Sequence, residues 1–377
     1  MLNMGMNRCK VLLCSPLDLS SGSGIARWTN HIKSYYMDRG SSSVDMSIYP
    51  MDRTTYVDES INFLKRVYWG IKDYYRIIKG VRIEVSKIRY DVVHIASSAS
   101  ISLIKDLILL CLLNRKRIKT IVHFHFGRIP ELITANNWEW KLIHRVAKCA
   151  DKIVVIDRLS YETLLKDGID NVVLLSNPLS PQIANIIAES SDVPRNERSI
   201  LFVGHVYKTK GVYELVEACS HIPDVYLKLI GKFNDSIKEE LENIALKYKP
   251  NPWIEFAGNL PFDKVINEML RCGVFVLPTY TEGFPNVILE SMACACPIVT
   301  THVGAIPEML DVDNGDYCGK CIEPKQVNQL QDAIQEFLGN QEYAGMCGYN
   351  AQLRVNRCYS MPVIYRQLER LWLNVLS

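Results

Sequence analysis

Apolar residues along the chain fall into two kinds of run. Short, β-rich runs of four to seven residues are buried-strand candidates, because a strand covered on both faces loses the polar alternation of a half-exposed one. In the first half these are Lys10 to Ser15, Asp91 to Ala96, Thr120 to Phe126, Lys152 to Ile156 and Asn171 to Leu175. In the second half they are Ser199 to Val203, Val225 to Ile230, Trp253 to Phe256, Val274 to Leu277 and Pro297 to Thr301. Between them lie stretches with helical spacing, such as Ile25 to Tyr36, Val212 to Ala218 and Lys264 to Arg271. Strands alternating with helices predict parallel sheets covered on both faces, and two such series predict two doubly wound α/β domains. Pro178, Pro181 and Pro194 punctuate a polar segment from Asn177 to Glu197, which is the expected joint. A last amphipathic stretch, Met361 to Leu376, carries Leu368, Leu371, Trp372 and Val375 on one face.

Composition changes this picture little, and charge changes it more. The 377 residues suit two domains, and 48% hydrophobic with 22% charged residues is globular composition. The net charge of +2 conceals a split: residues 1–180 carry 26 basic and 17 acidic residues, and residues 181–377 carry 17 and 24. Two domains with different partners are expected, the basic one facing phosphates or anionic headgroups. The first ten residues lack the apolar core of a secretory signal. Ile101 to Leu113 is too short to span a bilayer and contains Lys105 and Asp106, so it reads as a buried or interfacial helix. The twelve cysteines are expected to be reduced thiols. Cys294, Cys296, Cys318 and Cys321 have spacings that two zinc-ligand pairs would show, but no histidine pattern supports a metal.

Candidate chemistry concentrates in four segments. In Thr279-Tyr-Thr-Glu282-Gly-Phe284-Pro285-Asn286-Val287-Ile-Leu-Glu290, a strand leads into a Gly/Pro loop and then a helix. A helix opening after Pro285 offers backbone N–H groups and a positive dipole end, a ready site for a diphosphate. Glu290, about one turn further in, is placed to accept from a ribose diol. In Phe202-Val-Gly204-His205-Val-Tyr-Lys208-Thr-Lys210-Gly211, a glycine turn and a basic loop bring cations to a strand's carboxyl end. His123 and His125 alternate at the end of another strand, on the face opposite Phe124. Gly22-Ser-Gly24 follows the first strand, but Arg27 stands where a dinucleotide fingerprint needs glycine.

Together these segments resemble the family-4 retaining glycosyltransferases, which have the GT-B fold. The segment from Glu282 to Glu290 resembles the family's Glu-x7-Glu motif, and Gly204 to Gly211 its Gly-Arg-x4-Lys-Gly loop. Asn177-Pro178, Gly231, Gly258 and Val303-Gly304-Ala305-Ile-Pro307-Glu308 agree in order and spacing, with Ala305 replacing a family glycine. The resemblance is sharp from Ser199 to Gln326 and only a pattern before residue 180.

The resemblance implies two Rossmann-like domains facing across a cleft: an acceptor-binding domain at 1–180, a nucleotide-sugar-binding domain at 181–355, and a returning terminal helix at 356–377. Glu282 is then expected to contact the donor sugar, Glu290 the ribose, and the backbone of Phe284, Pro285, Asn286 and Val287 the diphosphate. Lys210 would hold phosphate, with Gly204 and Gly231 beside the nucleotide, Gly24 where the backbone approaches the donor or acceptor, and His125 near the sugar and attacking oxygen. His205 stands where the family has arginine, and Lys208 is the expected replacement charge. The implied reaction is retaining transfer from a nucleotide-sugar, most often a UDP-sugar, to a glycan or lipid-linked acceptor in bacterial surface polysaccharide synthesis. It needs no metal and no cofactor. A cytoplasmic enzyme at the inner face of the membrane is expected. Arg66 to Lys79 mixes bases and aromatics, which suits either an anionic membrane or an ordinary wet helix face. A nucleotide-sugar 2-epimerase and a silent sugar-nucleotide-binding protein are the rival readings. No nucleic-acid recognition motif accompanies the basic half.

Overall fold

Long apolar strands without alternation need helices on both faces, and the chain supplies them twice. The computed structural model describes residues 8–19, 23–54, 63–190, 194–248, 252–314 and 317–377. Ser20 to Gly22 of the first glycine loop and the opening seven residues lie outside that set, as do the side chains of Arg66 and Val67. One compact unit comprises the chain up to Pro178 together with Ile364–Ser377, and the other comprises Leu179–Val363.

The first unit is built on strands β1 (Cys9–Ser15), β2 (Val44–Pro50), β3 (Val92–Ser97), β4 (Lys119–Phe124), β5 (Lys152–Val155) and β6 (Val172–Leu174). They pair in parallel in the order β2-β1-β3-β4-β5-β6. Every residue of β3 is buried, as its run of Val-Val-His-Ile-Ala requires. The stretch read as a strand to Phe126 pairs only to Phe124, so His125 lies just beyond the sheet. The apolar helix Ser102–Arg115 buries both Lys105 and Asp106. They pair with each other, and Asp106 also accepts from Ser97 Oγ at 2.6 Å. Paired and hydrogen-bonded, the two charges tolerate a position that neither would tolerate alone.

The final helix, Met361–Asn374, completes this unit. Leu368, Leu371, Trp372 and Val375 are buried. Trp372 Nε1–H donates to His94 Nδ1 on β3 at 3.0 Å, and the Tyr365 ring packs 5.0 Å from Tyr35.

The second unit carries β7 (Asn196–Val203), β8 (Tyr226–Ile230), β9 (Ile254–Gly258), β10 (Cys272–Leu277), β11 (Ile298–Thr301) and β12 (Lys320–Ile322). Their order is β12-β11-β10-β7-β8-β9, again all parallel. The chain winds outward from β7 in one direction and from β10 in the other. The loops after β7 and β10 therefore meet at a topological switch point, where doubly wound sheets receive ligands. Among the described residues, no helix is long and apolar enough to cross a membrane.

Candidate functional site

The switch point of the second unit brings together the basic loop and the glutamate loop. After β7 the chain makes a 3-10 turn at Lys208–Lys210, caps it with Gly211 in the left-handed region, and enters the helix Val212–Ser220. After β10, Tyr280 N–H donates to Thr209 carbonyl at 2.9 Å, tying one loop to the other. Lys210 Nζ then reaches Glu282 Oε1 in an ion pair between residues 72 positions apart. Both side chains keep some solvent exposure, 25% and 19%, so the pair is open to exchange with a ligand.

Two glycines hold the Glu282 loop from outside its own segment. Gly211 has φ +70°, and a Cβ there would stand 1.9 Å from the carbonyl oxygen of Pro278. Gly304 has φ +55°, and a Cβ there would stand 2.0 Å from the carbonyl oxygen of Glu282. Ala305 N–H completes the clamp by donating to Gly283 carbonyl at 2.9 Å. Only glycine permits both the dihedral and the approach at these positions.

The helix Asn286–Ala293 begins four residues after Glu282, and no side chain caps it. Its positive end is available to an anion. Phe284 itself is buried against Tyr359, at 5.7 Å between ring centroids, so only its backbone faces the role expected of it. Pro285 is buried as well, and Asn286, Val287 and Glu290 are half-buried. Gly204 and Gly231 end adjacent strands in close apposition: a Cβ on Gly231 would lie 1.9 Å from Gly204 carbonyl. Gly231 is thus needed by the backbone whatever binds nearby.

His205 is exposed and stacks on Tyr207, with ring centroids 5.5 Å apart. Lys208 is exposed, with no acidic partner among the described residues. Tyr280 OH donates to Glu214 at 2.5 Å, and the Lys325 ammonium lies 4.9 Å from the Tyr280 ring. Neither Glu214 nor Lys325 was legible as part of this region, since each is remote in sequence from the motif it touches.

His125 belongs to the other unit. Its ring stacks on His123 at 3.9 Å, and Trp28 contacts both, at 4.8 and 5.0 Å. His94 joins the cluster 5.4 Å from His123. Burial pushes His94 and His125 down to about 3 and holds His123 well below the ordinary histidine range. Rings so depressed are neutral, not cationic, at pH 7. Both nitrogens of His123, Nε2 of His94 and of His125, and Nε1 of Trp28 have no partner among the described residues. Sequence reasoning found His123 and His125 and placed Trp372 on the apolar face of the last helix, but it joined neither Trp372 nor His94 and Trp28 to the cluster, since all three look like core residues of their elements.

Gly24 opens the helix Gly24–Arg39, whose cap Ser23 accepts from Ala26 N–H. An added Cβ at Gly24 would meet nothing within 4 Å, so the fold does not demand glycine there. Among the described residues, no three His, Cys, Asp or Glu side chains converge as a metal site.

Comparison with known proteins agrees with this geometry. An uncharacterized glycosyltransferase of Methanocaldococcus jannaschii is 35% identical over 152 residues, which is 40% of this chain and 41% of that protein. The capsular polysaccharide biosynthesis glycosyltransferase CapM of Staphylococcus aureus is 29% identical over 177 residues, covering 45% of this chain and 44% of that protein. The chain therefore matches less than half the length of these relatives. The structure of Anabaena HepE in complex with UDP superposes with a TM-score of 0.69 at 14% identity, covering 97% of this chain and all of that one. Two doubly wound parallel units are the GT-B fold, as expected from the sequence. Residues 151–354, more than half of the chain and nearly all of its second unit, match the family described as glycosyl transferases group 1, and the protein belongs to that family.

Proposed function

We propose that the chain is a retaining glycosyltransferase that moves a sugar from a nucleotide-diphosphate sugar, with UDP as the first candidate, to a glycan or lipid-linked acceptor in surface polysaccharide synthesis. The observation that carries this reading is the Lys210–Glu282 pair at the switch point, four residues before an uncapped helix N-terminus. That arrangement sets a cation and a positive dipole end beside a carboxylate. A diphosphate leaving group needs the first two, and the hydroxyls of the donor sugar need the third.

In this mechanism the diphosphate of the donor takes Lys210 as its counterion and releases Glu282 to orient the sugar. Charge grows on the leaving oxygen as the anomeric carbon–oxygen bond breaks. Lys210 and the first N–H groups of the helix at Asn286 stabilise it without reorganising. Lys208 adds the charge that His205, in place of arginine, does not supply. Glu290 accepts from the ribose. The leaving phosphate takes the acceptor proton. Positive charge from side chain and backbone makes a metal unnecessary, so transfer is expected to persist in a chelator. The CapM relative supports the polysaccharide context, and UDP bound to HepE supports the choice of base.

The basic first half and the exposed aromatic and basic side chains of the helix Phe63–Lys87 support peripheral contact with an anionic membrane, where a lipid-linked acceptor resides.

The test is calorimetric titration of UDP, GDP and ADP into the wild type and Glu290→Ala without metal. One nucleotide is expected to bind saturably and to weaken by roughly tenfold in the variant, the worth of one charge-assisted hydrogen bond. Equal affinity in both proteins would remove Glu290 from the site, and no binding of any nucleotide would favour the silent-scaffold reading.

A further inference from the structure

Two helices of the first unit form a face whose chemistry the transfer reaction does not use. On the helix Phe63–Lys87, Tyr68, Lys72, Tyr75, Lys79 and Arg82 recur every three or four residues, and all are exposed. Tyr68 and Tyr75 are 61% and 67% exposed, and the Lys72 ammonium rests 4.8 Å over the Trp69 ring. The acidic residues of this helix lie off the stripe. Asp73 is buried and accepts from Thr54, and Glu84 accepts from Tyr90.

The neighbouring helix, Ser102–Arg115, presents Ile104, Ile108 and, two turns further on, Arg115 outward, with exposed Ile101 just before it. Isolated exposed apolar residues need no explanation, but a row of isoleucines beside a stripe of tyrosines and bases marks an interaction surface.

Between the two helices lies a cavity of about 250 Å³. Val81, Val85, Leu109, Leu112 and Leu113 form its apolar wall, and Arg82, Arg115 and Lys116 complete it. No carboxylate lines it, and none of the three cations has an acidic partner among the described residues. Three cations beside a hydrocarbon slot are complementary to an amphiphile with an anionic head and an apolar chain. The volume is at the small end for ligand pockets, enough for a segment of one chain.

Its position separates it from the transfer chemistry. Lys116 lies three residues before β4, whereas His125 follows the end of β4. The six residues of β4 span about 20 Å between them.

We propose that this groove is a lipid site: it takes part of one acyl chain of an anionic bilayer phospholipid, and Arg82, Arg115 and Lys116 hold the phosphate. The isoleucines and tyrosines around it rest in the headgroup region, where amphipathic side chains bury their apolar bodies and keep their polar ends wet. The proposal deepens the membrane contact suggested above, and it is independent of which sugar is transferred.

The experiment uses the full chain and two probes. Monomeric lysophosphatidylglycerol, below its micelle threshold, tests the groove without a bilayer, with lysophosphatidylcholine as the neutral control. Vesicles of phosphatidylcholine, with and without phosphatidylglycerol, test the surface by co-sedimentation. Leu112→Trp fills the groove at a half-buried position, and the double charge reversal Lys72→Glu, Lys79→Glu alters the stripe alone. Circular dichroism confirms that both variants fold.

Saturable binding of lysophosphatidylglycerol is expected, with roughly tenfold loss in Leu112→Trp and no loss in the stripe variant. Binding to anionic vesicles should fall in both. Lipid-monomer binding without vesicle binding would sustain the groove and refute the membrane contact. Absence of monomer binding, equal affinity for the neutral lipid, or unchanged binding in Leu112→Trp would overturn the proposal. So would a dimer that dissociates in Leu112→Trp without lipid affinity, since a second copy would then be the occupant.

Discussion

Replacing His94 with asparagine isolates the proton linkage of the buried histidine cluster. His94 is fully buried in β3, where its Nδ1 accepts the Trp372 indole N–H at 3.0 Å. Burial lowers it from 6.5 to about 3. Because the folded value lies below the unfolded one, the unfolded chain takes up the proton first as the pH falls. The contribution of neutral His94 is whole above about pH 6.5 and is lost progressively between there and about pH 3. At pH 5 the unfolded ring is almost fully protonated and the folded ring almost wholly neutral, which costs about 2 kcal/mol, and the loss levels off at roughly 5 kcal/mol in stronger acid. His94→Asn places an oxygen near Nδ1, keeps an acceptor for Trp372, and cannot titrate. Urea unfolding followed by tryptophan fluorescence at pH 8 and pH 5 measures the difference. His123 and His125 are also depressed, by burial first and by His94 in addition, so they destabilise in acid in both proteins and removing His94 relieves them in the same direction as its own loss. The variant should lose about 2 kcal/mol less than the wild type on moving to pH 5. Identical losses would show that His94 does not carry the linkage.

Three further outcomes test the donor site. Lys210→Ala should lower the transfer rate by roughly 10²- to 10³-fold, the usual cost of removing one preorganised group that stabilises transition-state charge, with a smaller change in KM; initial-rate kinetics distinguish this from a simple binding defect. Lys208→Ala should weaken UDP binding by roughly tenfold if it replaces the family arginine, and unchanged affinity by calorimetry would refute that substitution of roles. Gly24→Ala should leave the melting temperature unchanged or slightly raised, because a Cβ there meets nothing within 4 Å, while transfer activity falls; a stability loss above about 1 kcal/mol would mean that the fold, not a ligand, requires the glycine.

The sheets were legible because their central strands are apolar runs covered on both faces. β2 was missed for the complementary reason: it is an edge strand, and Asp45 and Ser47 interrupt its hydrophobic pattern. β12 has only three residues, too few to show any period. At the candidate site, motif spacing located Glu282, Glu290 and Lys210 one by one. Nothing local could show that Lys210 pairs with Glu282, since that contact follows from the reversal of strand order between β7 and β10. His94 escaped notice because a single histidine within Val-Val-His-Ile-Ala is indistinguishable from a core residue, and its partner Trp372 comes from the far end of the chain.

The glycine clamp around Glu282 bears on how this protein can diversify. Gly211 and Gly304 stand against backbone oxygens of the loop, so a side chain at either position displaces the main chain that carries Glu282. Variation at those two positions closes the route to a functional protein, whatever the donor. Within the loop the freedom is of another kind: Thr281 is exposed and Tyr280 only partly covered, so their side chains can change while the backbone path persists and Glu282 keeps its pairing with Lys210. Selection for a new sugar is therefore channelled into Tyr280 and Thr281, and a library randomised at those two positions with Glu282 kept should yield altered donor preference on an unaltered scaffold.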